Sequence, residues 1–397
     1  MKTFTELSIS AHLKSNLSKH GFTQPTPVQA LAIEPALTGS NVVATAQTGT
    51  GKTLAFLIPL IHRIETEPQM KGVRAVVLAP TRELALQIHQ TFGQLAYGTG
   101  IRAAAVVGGA GENPQLQSIR KGARVVIATP GRLCDFLNRK LVDLSAAGIL
   151  VLDEADRMLD MGFLPSIRLI ISALPSQRQT LFFSATIEPA VKHLVESHVP
   201  NAVRVEVGST TKPVEQVDLH HYEVEGDHKL GLLEKILRDE SGSFLVFART
   251  KHGADRLAHK LSREFKTAAI HGDRSQNQRN QALKGFREGF YRVLVATDVA
   301  SRGIHVDGIA HVVNYDLPQA PEDFIHRVGR TARAGARGTA STFSTRVERS
   351  EIARIEKAIG RRMERRAMAG LAEVVEIKPA APRFVFRSRM PRRRRAV

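Results

Sequence analysis

The chain has 397 residues, of which 43% are hydrophobic. This length and composition allow two ordinary domains with substantial cores and exclude a disordered polymer. The longest apolar stretch, residues 54–61, is too short to cross a bilayer, and the start of the chain lacks the apolar region of a signal peptide, so we expect no membrane association. The single cysteine, Cys134, excludes an intramolecular disulfide, and we interpret it as a small buried side chain in a reducing, cytoplasmic compartment.

The formal net charge is +18, from 56 basic and 38 acidic side chains. Such an excess favours a polyanionic partner, because neutralising phosphates releases condensed counterions. Residues 371–397 contain eight basic and two acidic side chains, which leaves +12 for the rest of the chain. We therefore expect a nucleic acid partner, a basic body, and a basic tail that is disordered until it meets an anion.

A phosphate-binding pattern, AQTGTGKT, occupies residues 46–53 between a strand-like run and a helix-like run. Its glycines let backbone N–H groups close on phosphate oxygens, and the positive end of the following helix faces the anion. Lys52 is predicted to reach the β- and γ-phosphates of a nucleoside triphosphate, and the Thr53 hydroxyl to contact Mg²⁺. A Gly/Thr-rich turn is the structural alternative, and Ala46 stands where the usual pattern has glycine. The predicted phosphate-binding residues are Thr48, Gly49, Thr50, Gly51, Lys52 and Thr53.

Two adjacent acids, Asp153 and Glu154, follow an apolar run at 148–152. Such a run is typical of a parallel strand buried on both faces, and catalytic groups in open α/β sheets lie beyond the carboxyl ends of strands. We expect Asp153 to hold the metal through water, and Glu154 to orient or deprotonate the attacking water. A solvated turn or helix cap is the alternative. Together with the phosphate-binding pattern, however, the pair indicates hydrolysis of a nucleoside triphosphate.

Short β-branched runs alternate with helix-like stretches from residue 25 to about 207, and again from about 219 to 345. This alternation predicts an α/β fold with two parallel sheets. The polar stretch at 208–213 indicates a linker between them. Residues 347–369 show helical spacing and predict one helix that caps the second domain. Its apolar stripe would consist of Ile352, Ile355, Ile359 and Met363.

Eleven motifs carry a family resemblance that spans nearly everything from Phe4 to about residue 345. They are GFTQPTPVQ at 21–29, AQTGTGKT at 46–53, PTRELA at 80–85, GG at 108–109, TPGR at 129–132, DEAD at 153–156, SAT at 184–186, VFART at 246–250, HGDRSQNQR at 271–279, ATDVASRG at 296–303 and HRVGRTAR at 326–333. The chain resembles the DEAD-box ATP-dependent RNA helicases and looks most like the compact bacterial members.

The resemblance implies an α/β protein with two tandem RecA-like parallel-sheet domains, a P-loop NTPase of the helicase superfamily 2 type. It divides the chain into an N-terminal ATP-binding domain at 1–207, a linker at 208–215, a C-terminal helicase domain at 216–370 and the basic tail at 371–397. The first domain would include an adenine-recognition segment at 4–29.

The same resemblance implies roles around the nucleotide. Gln29 would pair with both polar groups on the edge of adenine, which favours ATP over GTP. Phe4 would stack on the base, although a core or staple residue is the alternative. Arg330 and Arg333 are three apart, expected on one helix, and would be arginine fingers that reach the γ-phosphate only when the domains close. The implied catalytic set is Lys52, Asp153, Glu154, Arg330 and Arg333, with ATP as substrate and Mg²⁺ as the metal.

The resemblance also implies a coupling group and an RNA-binding surface. Ser184 and Thr186 would bond Asp156 and link the nucleotide site to domain closure, with structural capping as the alternative. The RNA-binding residues are mostly small, hydroxyl-bearing or arginine, which suits gripping a sugar-phosphate backbone without reading bases. With four tyrosines and no tryptophan, aromatic platforms for base stacking are scarce. The implied RNA contacts are Pro80, Thr81, Arg82, Gly109, Thr129, Gly131, Arg132, Arg249, Gly272, Gln276, Arg279 and Thr297.

Two positions depart from the family pattern. His305 stands where an acid near the ATP ribose is usual; either the imidazole bonds the ribose hydroxyls or Asp307 substitutes for the acid. Ala332 stands where glycine is usual. Alanine would be strained at positive φ but favoured in a helix, and we expect the helix and full activity.

The resulting expectation is an RNA-stimulated ATPase that separates short RNA duplexes locally or remodels ribonucleoproteins. We expect a monomer with ribonucleoprotein or RNA-decay partners. A translocating DNA helicase and a non-catalytic ATP-gated RNA clamp are the alternatives. The motif around Gln29 and the spelling DEAD argue against the first, and the retained Lys52, Glu154, Arg330 and Arg333 argue against the second.

Overall fold

The structure is a computed structural model, and it describes residues 3–46, 49–67, 71–207, 217–298, 308–331 and 337–367. Two parallel sheets of seven strands each organise the chain. We call the part built on the first sheet lobe 1 and the part built on the second sheet lobe 2. The predicted α/β class with two parallel sheets is confirmed.

Lobe 1 alternates strands and helices along the chain after a 3₁₀ turn at Phe4–Glu6. Its strands are β1 Val42–Ala46, β2 Ala75–Leu78, β3 Ala103–Val106, β4 Val125–Ala128, β5 Ile149–Leu152, β6 Gln179–Ser184 and β7 Val203–Val207. Its helices are α1 Ala11–Lys19, α2 Pro27–Leu37, α3 Lys52–Thr66, α4 Arg82–Leu95, α5 Glu112–Arg120, α6 Pro130–Asn138, α7 Ala155–Asp160, α8 Leu164–Ser172 and α9 Pro189–His198. The strands lie in the order β3-β4-β2-β5-β6-β1-β7.

Lobe 2 repeats this plan. Its strands are β8 Val217–Glu223, β9 Phe244–Phe247, β10 Thr267–Ile270, β11 Val293–Ala296, β12 His311–Asn314, β13 Gly338–Ser344 and β14 Glu364–Arg365. Its helices are α10 Lys229–Asp239, α11 Lys251–Leu261, α12 Gln276–Arg287, α13 Pro321–Val328 and α14 Arg349–Ile359, with a 3₁₀ turn at Arg346–Glu348. The strands lie in the order β10-β11-β9-β12-β13-β8-β14.

The apolar sequence of the central strands follows from burial on both faces. In β1, Val42 and Ala44 pack in one apolar layer of lobe 1, whereas Val43 packs in the layer on the other side of the sheet. Helices cover both faces of a parallel sheet, so its strands need no alternation of polar and apolar residues. The polar residues therefore collect beyond the carboxyl ends of the strands, where the site lies.

The predicted helix over 347–369 is wrong in its length. Helix α14 ends at Ile359 because Gly360 takes a left-handed conformation, with φ of 66°, that lacks a steric penalty only in glycine. The chain then extends, and β14 pairs with β8 at the edge of the sheet. Met363, predicted on the helical stripe, is buried but lies beyond the helix.

Several predictions from the sequence fall on parts of the chain without a structural description. The linker at 208–215 and the tail at 371–397 lie outside the described residues.

Cys134 is buried, as expected, and burial raises the pKa of its thiol. In the described part of the chain, every helix is too short or too polar to span a bilayer.

Candidate nucleotide and RNA sites

The phosphate-binding pattern connects β1 to α3. Gly51 precedes the helix with φ of 89°, and a Cβ at this position would collide with the amide nitrogen of Gln29. Glycine is therefore required here by both the backbone conformation and the close contact. The ammonium group of Lys52 is buried and donates to the carbonyl oxygen of Ala46 at 3.0 Å, across the loop. Thr48 lies outside the described residues.

The Gln29 side chain ties the segment at 21–29 to this loop. Its amide oxygen accepts from the backbone N–H of Thr26, and its amide nitrogen donates to the carbonyl of Gly51, both at 2.8 Å. Each end of the amide keeps capacity for one further hydrogen bond. Phe4 is only 4% exposed and packs in the core of lobe 1, so its burial matches the alternative role of a core residue and leaves almost no ring face for a base.

The two adjacent acids lie at the carboxyl end of β5 and are both buried. Burial raises the pKa of Asp153 to about 7, Lys52 opposes this rise, and Glu154 adds to it. Glu154 has a left-handed backbone with φ of 52°, which is uncommon for a residue with a side chain. Its carboxylate accepts from the Arg157 guanidinium at 2.9 Å, in an ion pair shielded from solvent. The sequence analysis missed Arg157.

The surroundings of Asp153 fit a magnesium ion carried by a nucleotide. Its Oδ1 atom is buried and has no hydrogen-bond partner among the described residues. The described residues contain no group of three or more His, Cys, Asp or Glu side chains that could hold a metal alone. Mg²⁺ keeps several waters and takes other ligands from phosphates, so one carboxylate and the half-buried Thr53 hydroxyl suffice on the protein side.

Asp156 joins the ends of two neighbouring strands. Its Oδ2 atom accepts from the backbone N–H of Ala185 at 2.9 Å, and from the N–H and hydroxyl of Thr186 at 3.0 and 3.3 Å. Its own N–H donates to the Ser184 hydroxyl at 3.3 Å. The three predicted coupling residues are thus in direct contact, and they fasten the start of α7 to the end of β6.

Lobe 2 places His326 and Arg330 near this carboxylate cluster. Burial lowers the pKa of His326 to about 3, and the next contribution is the positive charge of Arg157 in lobe 1. Arg330 is 2% exposed and donates to the His326 carbonyl at 3.3 Å. The prediction that Arg330 lies on a helix is wrong, because α13 ends at Val328 and Gly329 caps it. Residues 332–336 and 299–307, which include Arg333, Ala332, His305 and Asp307, lie outside the described residues.

A cavity of about 500 Å³ opens between the two lobes and collects most of the predicted RNA contacts. Lobe 1 supplies Pro80, Thr81, Arg82, Thr129, Gly131 and Arg132 to its wall, and lobe 2 supplies Gly272 and Arg279. The cavity is also lined by residues for which the sequence predicted no role, among them Glu83, Asp135, Met161 and Phe163. Residues from distant motifs thus share one surface.

An ion pair between the lobes crosses this cavity. Arg279 donates to the Glu83 carboxylate at 2.9 Å, and Gln276 donates to the same oxygen at 3.1 Å. The other carboxylate oxygen, Arg279 Nε and an Arg132 nitrogen are buried without a hydrogen-bond partner in the described structure. Buried polar atoms are normally satisfied, so these atoms indicate a place for a polar ligand.

Four of the predicted RNA contacts do not line the cavity, namely Gly109, Arg249, Gln276 and Thr297. Gly109 has φ of 68° and lies against the Arg82 guanidinium, so a side chain there would be strained by the backbone and would displace this group. Arg249 follows β9 and pairs with Glu348 at 3.3 Å. Thr297 follows β11 and is buried.

Comparisons with known proteins decide the family. The DEAD/DEAH box helicase model matches residues 26–194, and the helicase conserved C-terminal domain model matches residues 228–335. The chain is 39% identical over 376 residues to the DEAD-box ATP-dependent RNA helicase CshA of Bacillus subtilis (strain 168), covering 94% of this chain and 76% of that protein. This chain belongs to the DEAD-box ATP-dependent RNA helicases. The predicted family, two-domain fold and enzyme class are confirmed.

Solved structures of one relative match this chain over both lobes. Saccharomyces cerevisiae Dbp5 bound to RNA and ADP BeF3 matches with a TM-score of 0.83 and 32% identity, covering 92% of this chain and 96% of that chain. A Dbp5 variant bound to Nup159, a Gle1 variant, IP6 and ADP reaches 0.61 at 31% identity, covering 91% and 96%. Of these two structures, the one bound to RNA and ADP BeF3 is the more similar to this chain by TM-score.

Proposed function

We propose that this helicase closes its two lobes around ATP and a single RNA strand, and that the closure separates short RNA duplexes or remodels ribonucleoproteins. The observation that carries the proposal is the cavity between the lobes, where predicted RNA contacts from both lobes meet. A strand held there by backbone contacts leaves no room for its complement. Binding would then drive local separation, and hydrolysis would reset the enzyme.

The nucleotide chemistry is assigned to side chains of both lobes. Lys52 neutralises the β- and γ-phosphates, and Glu154, whose carboxylate accepts from Arg157, orients or deprotonates the attacking water. Thr53 and Asp153 would hold Mg²⁺, which supplies charge neutralisation on the phosphates. Arg330 and Arg333 would supply positive charge from lobe 2, so turnover requires closure.

RNA recognition is proposed to be independent of base sequence. The cavity wall offers hydroxyl groups, glycine backbone and guanidinium groups, which suit phosphates and ribose. Asp156, with Ser184 and Thr186, would couple the nucleotide bound at lobe 1 to the closure of the lobes.

We further propose the domain limits 1–207 and 216–370, a monomer, a cytoplasmic location, and partners in ribonucleoprotein assembly or RNA decay.

ATP turnover and duplex displacement test this proposal together. We expect single-stranded RNA to stimulate ATP hydrolysis, DNA of the same sequence to stimulate it far less, and a short RNA duplex to separate only with ATP. Glu154→Gln is expected to lower RNA-stimulated turnover by about 10²- to 10⁴-fold, as for loss of a general base. Equal stimulation by DNA, or unchanged turnover in Glu154→Gln, would refute the assignment. Glu112→Gln, an exposed acid of lobe 1 paired with Arg139, is the matched control.

A further inference from the structure

A second groove runs along the outer edge of lobe 2 and is lined by residues other than those of the cavity between the lobes. It has a volume of about 510 Å³ and lies between α11 and α12, with β10 as its floor. Strand β10 is the last strand of its sheet and pairs only with β11 within the described structure. The floor residues Thr267, Ala268 and Ala269 are small and only half-buried, so another chain could approach the strand closely.

The backbone of β10 presents an unpaired hydrogen-bonding edge to this groove. The carbonyls of Lys266 and Ile270 accept from residues of β11 or its flanks, so these two residues face the neighbouring strand. Successive residues of a strand face opposite edges, and Thr267 and Ala269 therefore direct their N–H and C=O groups outward. Such an edge is a template for an added strand. Four residues span roughly 13 Å, which matches an extended segment of about four residues.

The charge around the groove favours an acidic occupant. Residues 251–292, which form the groove and its flanks, contain ten basic and four acidic side chains. One of the basic side chains, Arg279, is paired with Glu83 in the cavity between the lobes, which leaves nine basic against four acidic side chains, a net charge of +5. The one carboxylate in the lining, Asp255, is already bonded to His271 and Arg274. The exposed His259 and Gln281 side chains also line the groove.

We propose that this groove binds an extended acidic peptide segment of a partner protein, which adds to β10 as an eighth strand of the lobe 2 sheet. Backbone hydrogen bonds to Thr267 and Ala269 would supply affinity, and the basic flanks would select acidic side chains. Extended peptide is favoured over RNA because the unpaired groups follow the spacing of a strand. A partner bound there would leave the cavity between the lobes open, so docking and RNA binding are compatible.

Panning a random-peptide display library against the full-length chain tests this proposal. Enriched peptides are then synthesised and their affinities measured by fluorescence anisotropy. Ala269→Pro removes one outward N–H, and proline is tolerated on edge strands where that group faces outward. Ala269→Ser keeps the N–H at nearly the same size and is the matched control. RNA-stimulated ATP turnover in both variants reports that the fold is retained.

We expect enriched peptides to be rich in Asp and Glu, to bind at least tenfold more weakly to Ala269→Pro, and to bind Ala269→Ser normally. In the unaltered chain, the amides of Thr267 and Ala269 should become protected from hydrogen exchange when the peptide binds, which tests the proposal even if the proline variant fails to fold. Failure to enrich acidic peptides, equal binding to both variants, or unprotected amides would overturn it. So would a loss of RNA affinity in a folded Ala269→Pro, which would assign the groove to RNA.

Discussion

Arg279 of lobe 2 donates to the Glu83 carboxylate of lobe 1 at 2.9 Å, and their side chains are only 10% and 6% exposed. The pair joins the two lobes, and both residues line the proposed RNA cavity. Breaking a buried ion pair by removing one partner costs about 3–5 kcal/mol. Closure should therefore depend on Glu83, although no RNA-binding role was predicted for it.

Glu83→Gln is expected to weaken closure of the lobes. The RNA concentration for half-maximal ATPase stimulation should rise roughly ten- to a hundredfold. This is less than the full loss of about 3–5 kcal/mol, because the glutamine amide can still accept a hydrogen bond from Arg279. A titration of ATP turnover with RNA measures this shift. Glu112→Gln breaks an exposed ion pair with Arg139 on the same lobe and should shift the curve little. Equal curves for Glu83→Gln and the unaltered chain would contradict a closing role for the pair.

The coupling group predicts a separation of hydrolysis from unwinding. Ser184→Ala with Thr186→Ala removes two hydroxyl contacts to Asp156, each worth about 1 kcal/mol, while the backbone bonds to its carboxylate remain. ATP turnover should stay within a few-fold, and duplex displacement per ATP should fall about tenfold or more. Ser172→Ala, which removes an exposed hydroxyl of lobe 1, is the control. A parallel loss of both activities would contradict the proposed coupling.

The lobe 2 core predicts sensitivity to acid. Burial lowers the pKa of His311 to about 4, while its Nε2 atom lies 2.9 Å from the Ser341 hydroxyl. The folded-state pKa lies below the unfolded value of about 6.5, so the unfolded state binds more protons between these values. The stabilisation is present above pH 6.5 and is lost as the pH falls towards 4.

Replacing this histidine should flatten that dependence. His311→Gln is expected to reduce the slope of unfolding free energy against pH between 5 and 6 by about 1.4 kcal/mol per pH unit, the value for one proton. Denaturant unfolding at several pH values measures the slope. His12→Gln, at an exposed position, should leave it unchanged. An unaltered slope in His311→Gln would show that the imidazole titrates normally in the folded state.

The basic tail predicts salt-sensitive RNA affinity. Deleting residues 371–397 removes eight basic and two acidic side chains and should weaken RNA binding, because fewer counterions are released. Maximal ATP turnover at saturating RNA should be retained. Affinities measured over a range of salt concentrations give the slope, which should become shallower. The same slope with and without the tail would contradict this role.

The sequence predicted the strands β1 to β13, and the central ones are short apolar runs that are buried on both faces. Strand β14 was missed, because it lies within the predicted helix at 347–369. The family resemblance predicted that Asp156, Ser184 and Thr186 meet, and the structure places them at the carboxyl ends of the neighbouring strands β5 and β6. The resemblance supplied the cavity residues from both lobes, but not their mutual contacts. Those contacts depend on how the lobes close, which no local pattern specifies.

The misses have identifiable physical causes. Gly360 in the sequence indicates the end of α14, because glycine commonly follows the last residue of a helix. The prediction considered only the spacing of the apolar residues and therefore made the helix too long. Glu83 lies in the motif PTRELA. An acidic residue next to basic predicted RNA contacts could have indicated an ion pair at this surface. Arg157 and its pairing with Glu154 left no separate signal, because a charged residue after the DEAD motif is ordinarily solvent-exposed.

The most direct test of the composite site is the RNA-stimulated ATP turnover of Arg330→Ala, measured beside the unaltered chain with and without RNA. Arg330 belongs to lobe 2, so an effect on hydrolysis at the lobe 1 phosphate loop requires closure of the lobes. The account predicts that RNA stimulates the unaltered chain and that the variant loses roughly 10³-fold or more of the stimulated rate. Turnover that ignores RNA, or a variant as fast as the unaltered chain, would contradict it.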